Sequence, residues 1–242
     1  MISNGKFYES QFEEATIELL REAHWQYAFG DDIHRKYTDP LIEEDLRNFL
    51  TVQYKDKNLT TSEMDSIVAN LRNTGGQNDY YALRNAFLLY RDGYDFAYSD
   101  GRDNPFRLEY IDFEHPDHNI FRCVNQFVME QGRENRRPDI LLFINGIPVC
   151  IIELKNPTKQ NATIHDAHTQ ICTRYMRDIP ALLKYCALAV ISDGAKNALG
   201  TTYTPFEFFY EWKKIENEDK AGKGLDTLRT LIRGALSPER IL

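Results

Sequence analysis

Three charged residues stand where charge is expensive. Asp139 opens an apolar run, Ile140 to Ile144, and Glu153 and Lys155 close a second run that follows Asn145-Gly146. An ionised group in apolar surroundings costs free energy unless it is paired or put to use. Two carboxylates together suit an oxygen-seeking divalent ion such as Mg²⁺. A lysine beside them can polarise a water or stabilise charge on a phosphoryl oxygen. A plainer reading competes: an ion pair at the open end of a hairpin, Glu153 with Lys155 and Asp139 with a nearby arginine, because short motifs also match by chance.

The elements that must position these charges follow from the same stretch. Asn-Gly between two apolar runs signals a β-hairpin, and neither run alternates, so the hairpin is expected to be buried on both faces. Register then decides whether the charges meet. A two-residue loop at Asn145-Gly146 pairs Asp139 with Ile152 and sends Glu153 to the opposite face, since successive side chains alternate. A three-residue loop from Asn145 to Ile147, with a glycine bulge, pairs Asp139 with Glu153 and brings Asp139, Glu153 and Lys155 to one face.

Pro138-Asp139 followed by Glu153-Leu154-Lys155 resembles the PD-(D/E)xK nuclease superfamily. More closely, Arg137-Pro138-Asp139, Asn145-Gly146-Ile147-Pro148 and Ile152-Glu153-Leu154-Lys155-Asn156-Pro157 resemble the N-terminal nuclease region of type I restriction enzyme R (motor) subunits. Arg174-Tyr175-Met176-Arg177-Asp178-Ile179-Pro180 and Val190-Ile191-Ser192-Asp193-Gly194 are similar to the same family. The likeness is dense from about residue 136 to 194 and thin over residues 30 to 100.

The resemblance implies an α/β, restriction-endonuclease-like fold: a mixed sheet flanked by helices, with a helical elaboration. It implies one endonuclease domain over residues 1–242, with a core at about 7–30 and 105–215, the elaboration at about 39–93, and a linker and helix at about 216–242. It implies Mg²⁺-dependent cleavage of double-stranded DNA, with Mn²⁺ as an alternative ion. Asp139, Glu153 and the Leu154 backbone carbonyl would hold the metal, with Glu13 as a further acidic ligand, and Lys155 would orient or activate the water. Modification and specificity subunits would be partners, and ATP would serve only motor domains beyond this chain. A stand-alone repair or recombination nuclease of the same superfamily, and a non-catalytic module binding DNA or subunits, remain the rival readings.

Composition sets the outer bounds. The chain has 242 residues and 42% hydrophobic content, enough for a real core. It shows no apolar run near membrane-spanning length and no secretory signal, so a soluble cytoplasmic protein is expected. The four cysteines, Cys123, Cys150, Cys172 and Cys186, form no Cys-x-x-Cys pair and read as buried free thiols. The formal net charge of -8 argues against a generic DNA-coating protein, which is normally basic, although Arg133, Arg136 and Arg137 cluster just before Asp139.

Along the chain, Ser10 to about Ala23 has the period of an amphipathic helix, and Ser10 with Glu13 has capping-box spacing. That gives Glu13 a structural role beside the metal-binding one. Helices are expected from Asp39-Pro40, from Thr60 (a second capping box with Glu63) and from Asp79, and Asn73-Thr74-Gly75-Gly76 reads as a turn. Strands at 107 to 113 and 120 to 130 would form another hairpin around His115-Pro116-Asp117-His118, a polar loop tip whose histidines are not expected to bind metal. His165 and His168 are read the same way. A strand at 187 to 192, an aromatic segment from Pro205 to Trp212, a charged, Gly-containing linker of low order at 216 to 224 and a helix from about Leu225 to Leu236 complete the chain.

A helix from about Asp166 to Arg177 carries Ala167, Ile171 and Tyr175 as a packing stripe and Gln170, Arg174 and Arg177 as a polar one. The nuclease family places a Gln-x-x-x-Tyr motif on such a helix. Here Gln170 and Tyr175 are five apart, roughly 140° round a regular α-helix, which assigns Tyr175 to the core. Gln170, Arg174 and Arg177, with Arg136 and Arg137, are the candidates for gripping the DNA backbone or supporting the site.

Overall fold

The structure, a computed structural model, describes residues 9–155, 163–215 and 222–242. Asn156-Pro157, read as the end of a strand, and residues 216–221 of the expected linker lie outside the described residues.

Helix α1 (Glu9–Glu22) leads into strand β1 (Gln26–Phe29). Helices α2 (Glu43–Gln53), α3 (Thr61–Asn73) and α4 (Asp79–Asp92) follow, then a small antiparallel pair, β2 (Tyr94–Phe96) and β3 (Phe106–Leu108). Next come β4 (Phe121–Asn125), a second small pair, β5 (Met129–Gln131) and β6 (Glu134–Arg136), and the long hairpin of β7 (Ile140–Ile144) and β8 (Ile147–Leu154). A helical segment then runs from α5 (Ile164–Thr169) through a π-helical turn (Gln170–Tyr175) into α6 (Met176–Asp178). Helix α7 (Pro180–Leu183), strands β9 (Leu188–Ser192) and β10 (Asn197–Gly200), helix α8 (Leu225–Leu231) and helix α9 (Pro238–Ile241) complete the fold.

Six strands form one mixed sheet in the order β1-β4-β7-β8-β9-β10. Pairs β1–β4 and β8–β9 are parallel and the others antiparallel. This is the helix-flanked, restriction-endonuclease-like α/β architecture expected. On one face Ile140, Leu142 and Ile144 pack with Leu20 of α1, Leu50 of α2, Ile67 of α3 and Leu231 of α8. On the other, Leu141, Phe143, Ile151 and Ile191 pack with Ala167, Ile171, Tyr175 and Leu182. The helices between 39 and 93 bury their apolar stripes in this layer. Among the described residues no helix is long and apolar enough to cross a membrane, and all four cysteines are free.

Several expectations fail for local reasons. Residues 107–113 and 120–130 do not form a hairpin: β3 pairs backwards with β2, and β4 enters the main sheet between β1 and β7. The Asp112 carboxylate accepts the N–H groups of Glu114 and His115, which curls the chain out of strand conformation there, and Gln126 takes a φ of 55° that ends β4. Helix α2 starts at Glu43 and not at Asp39-Pro40, because the Ile42 N–H donates to the Gly146 carbonyl at 2.9 Å and holds the preceding residues against the hairpin turn. Ser10 is already helical, so it does not cap a helix with Glu13. The Thr60–Glu63 capping box forms as expected. In the aromatic segment only part packs: Phe206, Phe209 and Trp212 lie against the core, while Phe208 and Tyr210 are exposed.

Candidate active site

The hairpin obtains its register by a device that loop length alone does not reveal. Ile144 pairs with Ile147, so the loop has two residues, Asn145 and Gly146. Both take positive φ, 50° and 76°, the conformation of a type I′ turn for which Asn-Gly is the favoured pair. Phe143 then pairs with Pro148 but Leu142 with Cys150, leaving Val149 as a bulged residue without a partner. The extra residue expected in the loop thus sits in β8. Ile147 and Val149 face the same layer as Cys150, Ile152 and Leu154, whereas Ile151 faces the other. Beyond the bulge Ile140 pairs with Ile152, the register that sets Asp139 across from Glu153. A two-residue loop without the bulge would have turned Glu153 towards α1 to α4.

Around Glu153 the polar groups form a connected path. Its Oε1 accepts from Lys155 Nζ at 2.8 Å, and Lys155 Nζ also donates to Gln170 Oε1 at 2.7 Å. Gln170 Nε2 donates to the Tyr175 hydroxyl at 2.7 Å, which in turn donates to the Arg137 carbonyl at 3.4 Å. Asp139, two residues on, accepts the Leu154 N–H on Oδ2 at 2.7 Å, which ties the start of β7 to the end of β8. Lys155 is anchored from behind by its own N–H on the Ser192 carbonyl of β9.

Glu153 is 1% exposed, and its Oε2 makes no hydrogen bond. Burial, with the charge of Asp139 second, pushes its carboxyl up to about 8, against the opposing pull of Lys155. The neighbouring Tyr175 hydroxyl lowers that proton affinity without reaching normal bonding geometry to Oε2. Burial, then the Glu153 charge, raises the Tyr175 phenol in the same way. An orphaned, buried carboxylate oxygen on a residue in register across the hairpin from a second carboxylate, with a backbone carbonyl beside it in sequence, offers an all-oxygen donor set that fits a hard divalent cation.

Tyr175 corrects the helical-wheel expectation. The segment Gln170–Tyr175 is wound as a π-helix. Its i→i+5 winding brings the residue five positions on back towards the face of the first. Tyr175 is therefore both buried, at 3% exposure, and bonded to Gln170. The five-residue spacing that argued against the pair was itself the signal of the π turn. The capping box of Thr163 with Asp166, which starts this helical segment, was also readable and missed.

The remaining candidates separate. Glu13 accepts from Asn125 Nδ2 at 2.7 Å and from Gln126 Nε2 at 3.0 Å, and the Gln126 N–H donates to the Asp139 carbonyl at 3.3 Å. Its link to the site thus runs through Gln126. Arg136 and Arg177 converge on the buried Asp178, at 2.7 Å and 2.6 Å. Arg136 also pairs with Glu134 at 2.6 Å. Arg137 offers the Tyr175 hydroxyl its carbonyl, and its side chain, like that of Arg174, is exposed. His168 is bonded to the Thr204 carbonyl at 2.9 Å and ringed by Phe206 and Phe209, a packed histidine.

Comparison with known proteins shows the family to which the chain belongs. The family model described as "Type I restriction enzyme R protein N terminus" matches residues 6–208. The "Type I restriction enzyme HindI endonuclease subunit" of Haemophilus influenzae is 29% identical over 246 aligned positions, covering 97% of this chain and 23% of that protein. The "Putative type I restriction enzyme MjaIXP endonuclease subunit" of Methanocaldococcus jannaschii is 30% identical over 215, covering 86% of this chain and 20% of the relative. The chain thus spans about a quarter or less of the length of these curated relatives. It belongs to the family of type I restriction enzyme R protein N-terminal regions.

Proposed function

We propose that this chain is the nuclease part of a type I restriction R subunit and hydrolyses phosphodiester bonds of double-stranded DNA in a Mg²⁺-dependent reaction, for which Mn²⁺ can substitute. The observation that carries the reading is the unbonded, buried Glu153 Oε2 on a carboxylate set beside Asp139 and Lys155. Asp139, Glu153 and the Leu154 carbonyl are the groups that would hold the ion, and Glu13 would add negative charge from its place beside Gln126. The ion's contribution, when bound, is to neutralise the phosphate and stabilise the leaving alkoxide.

The chain's own residues do the rest. Lys155 orients the attacking water and sets a positive charge next to the scissile phosphate, where a water-poor site makes it effective. Gln170 fixes Lys155, and Tyr175 fixes Gln170. Arg137 and Arg174, on the exposed rim, contact DNA phosphates. Arg177 is 69% exposed even while paired with Asp178, so it retains donors for the same purpose, and Arg136 braces the β6 end of that surface. Target recognition belongs to specificity and modification subunits, and ATP to the translocase part of the longer subunit.

The test is Glu153→Gln and Lys155→Ala in the complete, reconstituted enzyme. Both are expected to abolish cleavage of plasmid carrying a recognition site while leaving ATP turnover and folding intact. The metal-free Glu153→Gln domain is expected to melt higher than wild type, since burial and Asp139 disfavour the charge it removes. Normal cutting by either variant would sink the assignment. Loss of cutting together with unfolding would favour the ion-pair reading.

A further inference from the structure

At the opposite end of the hairpin from Glu153, the loop before β4 carries a group of ligands unrelated to the nuclease reading. His115 and His118 flank Asp117 in sequence, but the acid they approach is Asp112. Its Oδ2 lies 3.0 Å from His118 Nδ1 and 3.5 Å from His115 Nδ1. The two imidazole rings stack at 4.8 Å and 18°, so both present the same edge to one carboxylate oxygen. Among the described residues this is the one group of three metal-ligating side chains whose ligand atoms all lie within 4.8 Å of one another.

The spacing has a direct reading. Zinc bonds to imidazole nitrogen and carboxylate oxygen of about 2.0–2.2 Å place neighbouring ligand atoms of a tetrahedron about 3.3–3.5 Å apart. The observed 3.5 Å matches that edge, the 3.0 Å separation is a few tenths of an ångström shorter, and all three ligand atoms lie within 4.8 Å of one another, so small side-chain rotations of the half-exposed histidines would close the set round an ion. The carboxylate is also held in advance. Asp112 is buried, its Oδ1 accepts the N–H groups of Glu114 and His115, and its Oδ2 accepts Gln53 Nε2 at 3.1 Å. Asn119 locks the loop by bonding the Asp112 N–H and carbonyl, and Asn145 of the hairpin turn donates to Asn119 at 2.8 Å. Outer hydrogen bonds of this kind orient metal-ligating carboxylates. Both histidines are about half exposed, which leaves a path for an ion and a fourth position for water.

We propose that Asp112, His115 and His118 form a second metal site, specific for a borderline divalent ion of the Zn²⁺ class and distinct from the all-oxygen Mg²⁺ site at Glu153. Imidazole donors select Zn²⁺ over Mg²⁺, which prefers carboxylates, carbonyls and water. A bound ion would staple the loop to the end of α2 through Gln53 and to the hairpin turn through Asn119.

The experiment is Zn²⁺ titration of the complete polypeptide in excess Mg²⁺, repeated with Co²⁺ as a spectroscopic probe. Wild type is expected to bind one more Zn²⁺ than a His115→Gln, His118→Gln double variant, and to show a tetrahedral Co²⁺ spectrum that the variant lacks. Zn²⁺ should raise the melting temperature of wild type and not of the variant. Gln53→Leu, which keeps all three ligands, should weaken Zn²⁺ binding about tenfold. Glu153→Gln should leave this binding unchanged, which separates the site from the nuclease reading. Equal Zn²⁺ stoichiometry and affinity in wild type and the double variant would overturn the proposal, as would absence of Zn²⁺ binding by a folded wild type. Because both histidines are half exposed, circular dichroism of the double variant is expected to match wild type.

Discussion

Strand β8 and the helical segment from Ile164 to Asp178 reach the same small volume, and each carries one residue more than its regular geometry accommodates. In β8 the extra residue is Val149, bulged out of the ladder with β7. In the helical segment it is taken up by the π turn over Gln170–Tyr175. The strand's extra residue decides the face on which Glu153 and Lys155 emerge, because a strand has period two and a shift of one inverts it. The helix's extra residue only rotates one partner by a fraction of a turn, and the wider winding restores it. The same change in length is therefore decisive in one element and absorbed in the other.

The largest effect should come from breaking the strand side. Inserting one alanine between Ile151 and Ile152 forces either a second bulge or a slip that turns Glu153 and Lys155 into the layer of Leu20, Leu50 and Ile67. Burying the Glu153–Lys155 pair among apolar side chains, away from Gln170, leaves its desolvation uncompensated and costs about 3 kcal/mol or more. Thermal unfolding and plasmid cleavage should show a strongly destabilised, inactive protein, and normal cutting would mean that register is not what delivers Glu153.

Next in size is Gly146→Ala, which attacks the turn that starts the register. A Cβ there would stand 2.1 Å from the Ile42 carbonyl oxygen, on a backbone with φ of 76°. A loss of at least about 2 kcal/mol is expected in urea unfolding. The fraction that remains folded should still cut, since the bulge and not the turn sets the phase at Glu153. A folded but inactive variant would reverse that division of labour.

Tyr175→Phe tests the helical side. It removes the hydroxyl that Gln170 donates to, for about 1 kcal/mol of stability, and should slow cleavage about tenfold as Gln170 and Lys155 lose their fixed geometry. Gln170→Leu should behave alike, and the double variant should be no slower than the slower single one, because the two residues act as a unit. Strictly multiplicative losses would show that Tyr175 acts independently.

The smallest effect is expected from deleting Thr173, an exposed residue of the π turn. The deletion leaves Gln170 and Tyr175 four positions apart in an ordinary α-helix, where such residues already share a face. Cleavage within about twofold of wild type and stability within about 0.5 kcal/mol should result. A defect as severe as that of Tyr175→Phe would show that the flanking helices depend on the π winding.

What could be read from residues alone follows the same division. The hairpin and the placing of Asp139, Glu153 and Lys155 together were legible because Asn145-Gly146 fixes a turn and isolated charges stand out from apolar runs. The bulge at Val149 was not, since Ile147 to Ile152 offers no residue whose type marks the break; only the consequence for Asp139 demanded an extra residue somewhere. Strands β1 and β10 escaped because each is four residues long and only partly apolar. The supposed hairpin over 107–130 failed because its alternation is real but its partners are elsewhere, which pattern within one segment does not encode. The pairing of Arg136 and Arg177 through Asp178 was not legible, because the buried acid they share is adjacent to only one of them in sequence.

The position of β8 inside the sheet, hydrogen-bonded to β7 on one side and β9 on the other, also sets an order of events in time. Amides of a strand enclosed on both edges exchange with deuterated solvent only when the sheet as a whole separates, whereas those of a helical segment on the periphery exchange through local opening. The carboxylate-bearing strand and its tyrosine support thus have different lifetimes in the same native protein. In mild denaturant the Gln170–Tyr175 turn should release first, so that the protein stops supporting Lys155 while Glu153 and Asp139 are still held in register.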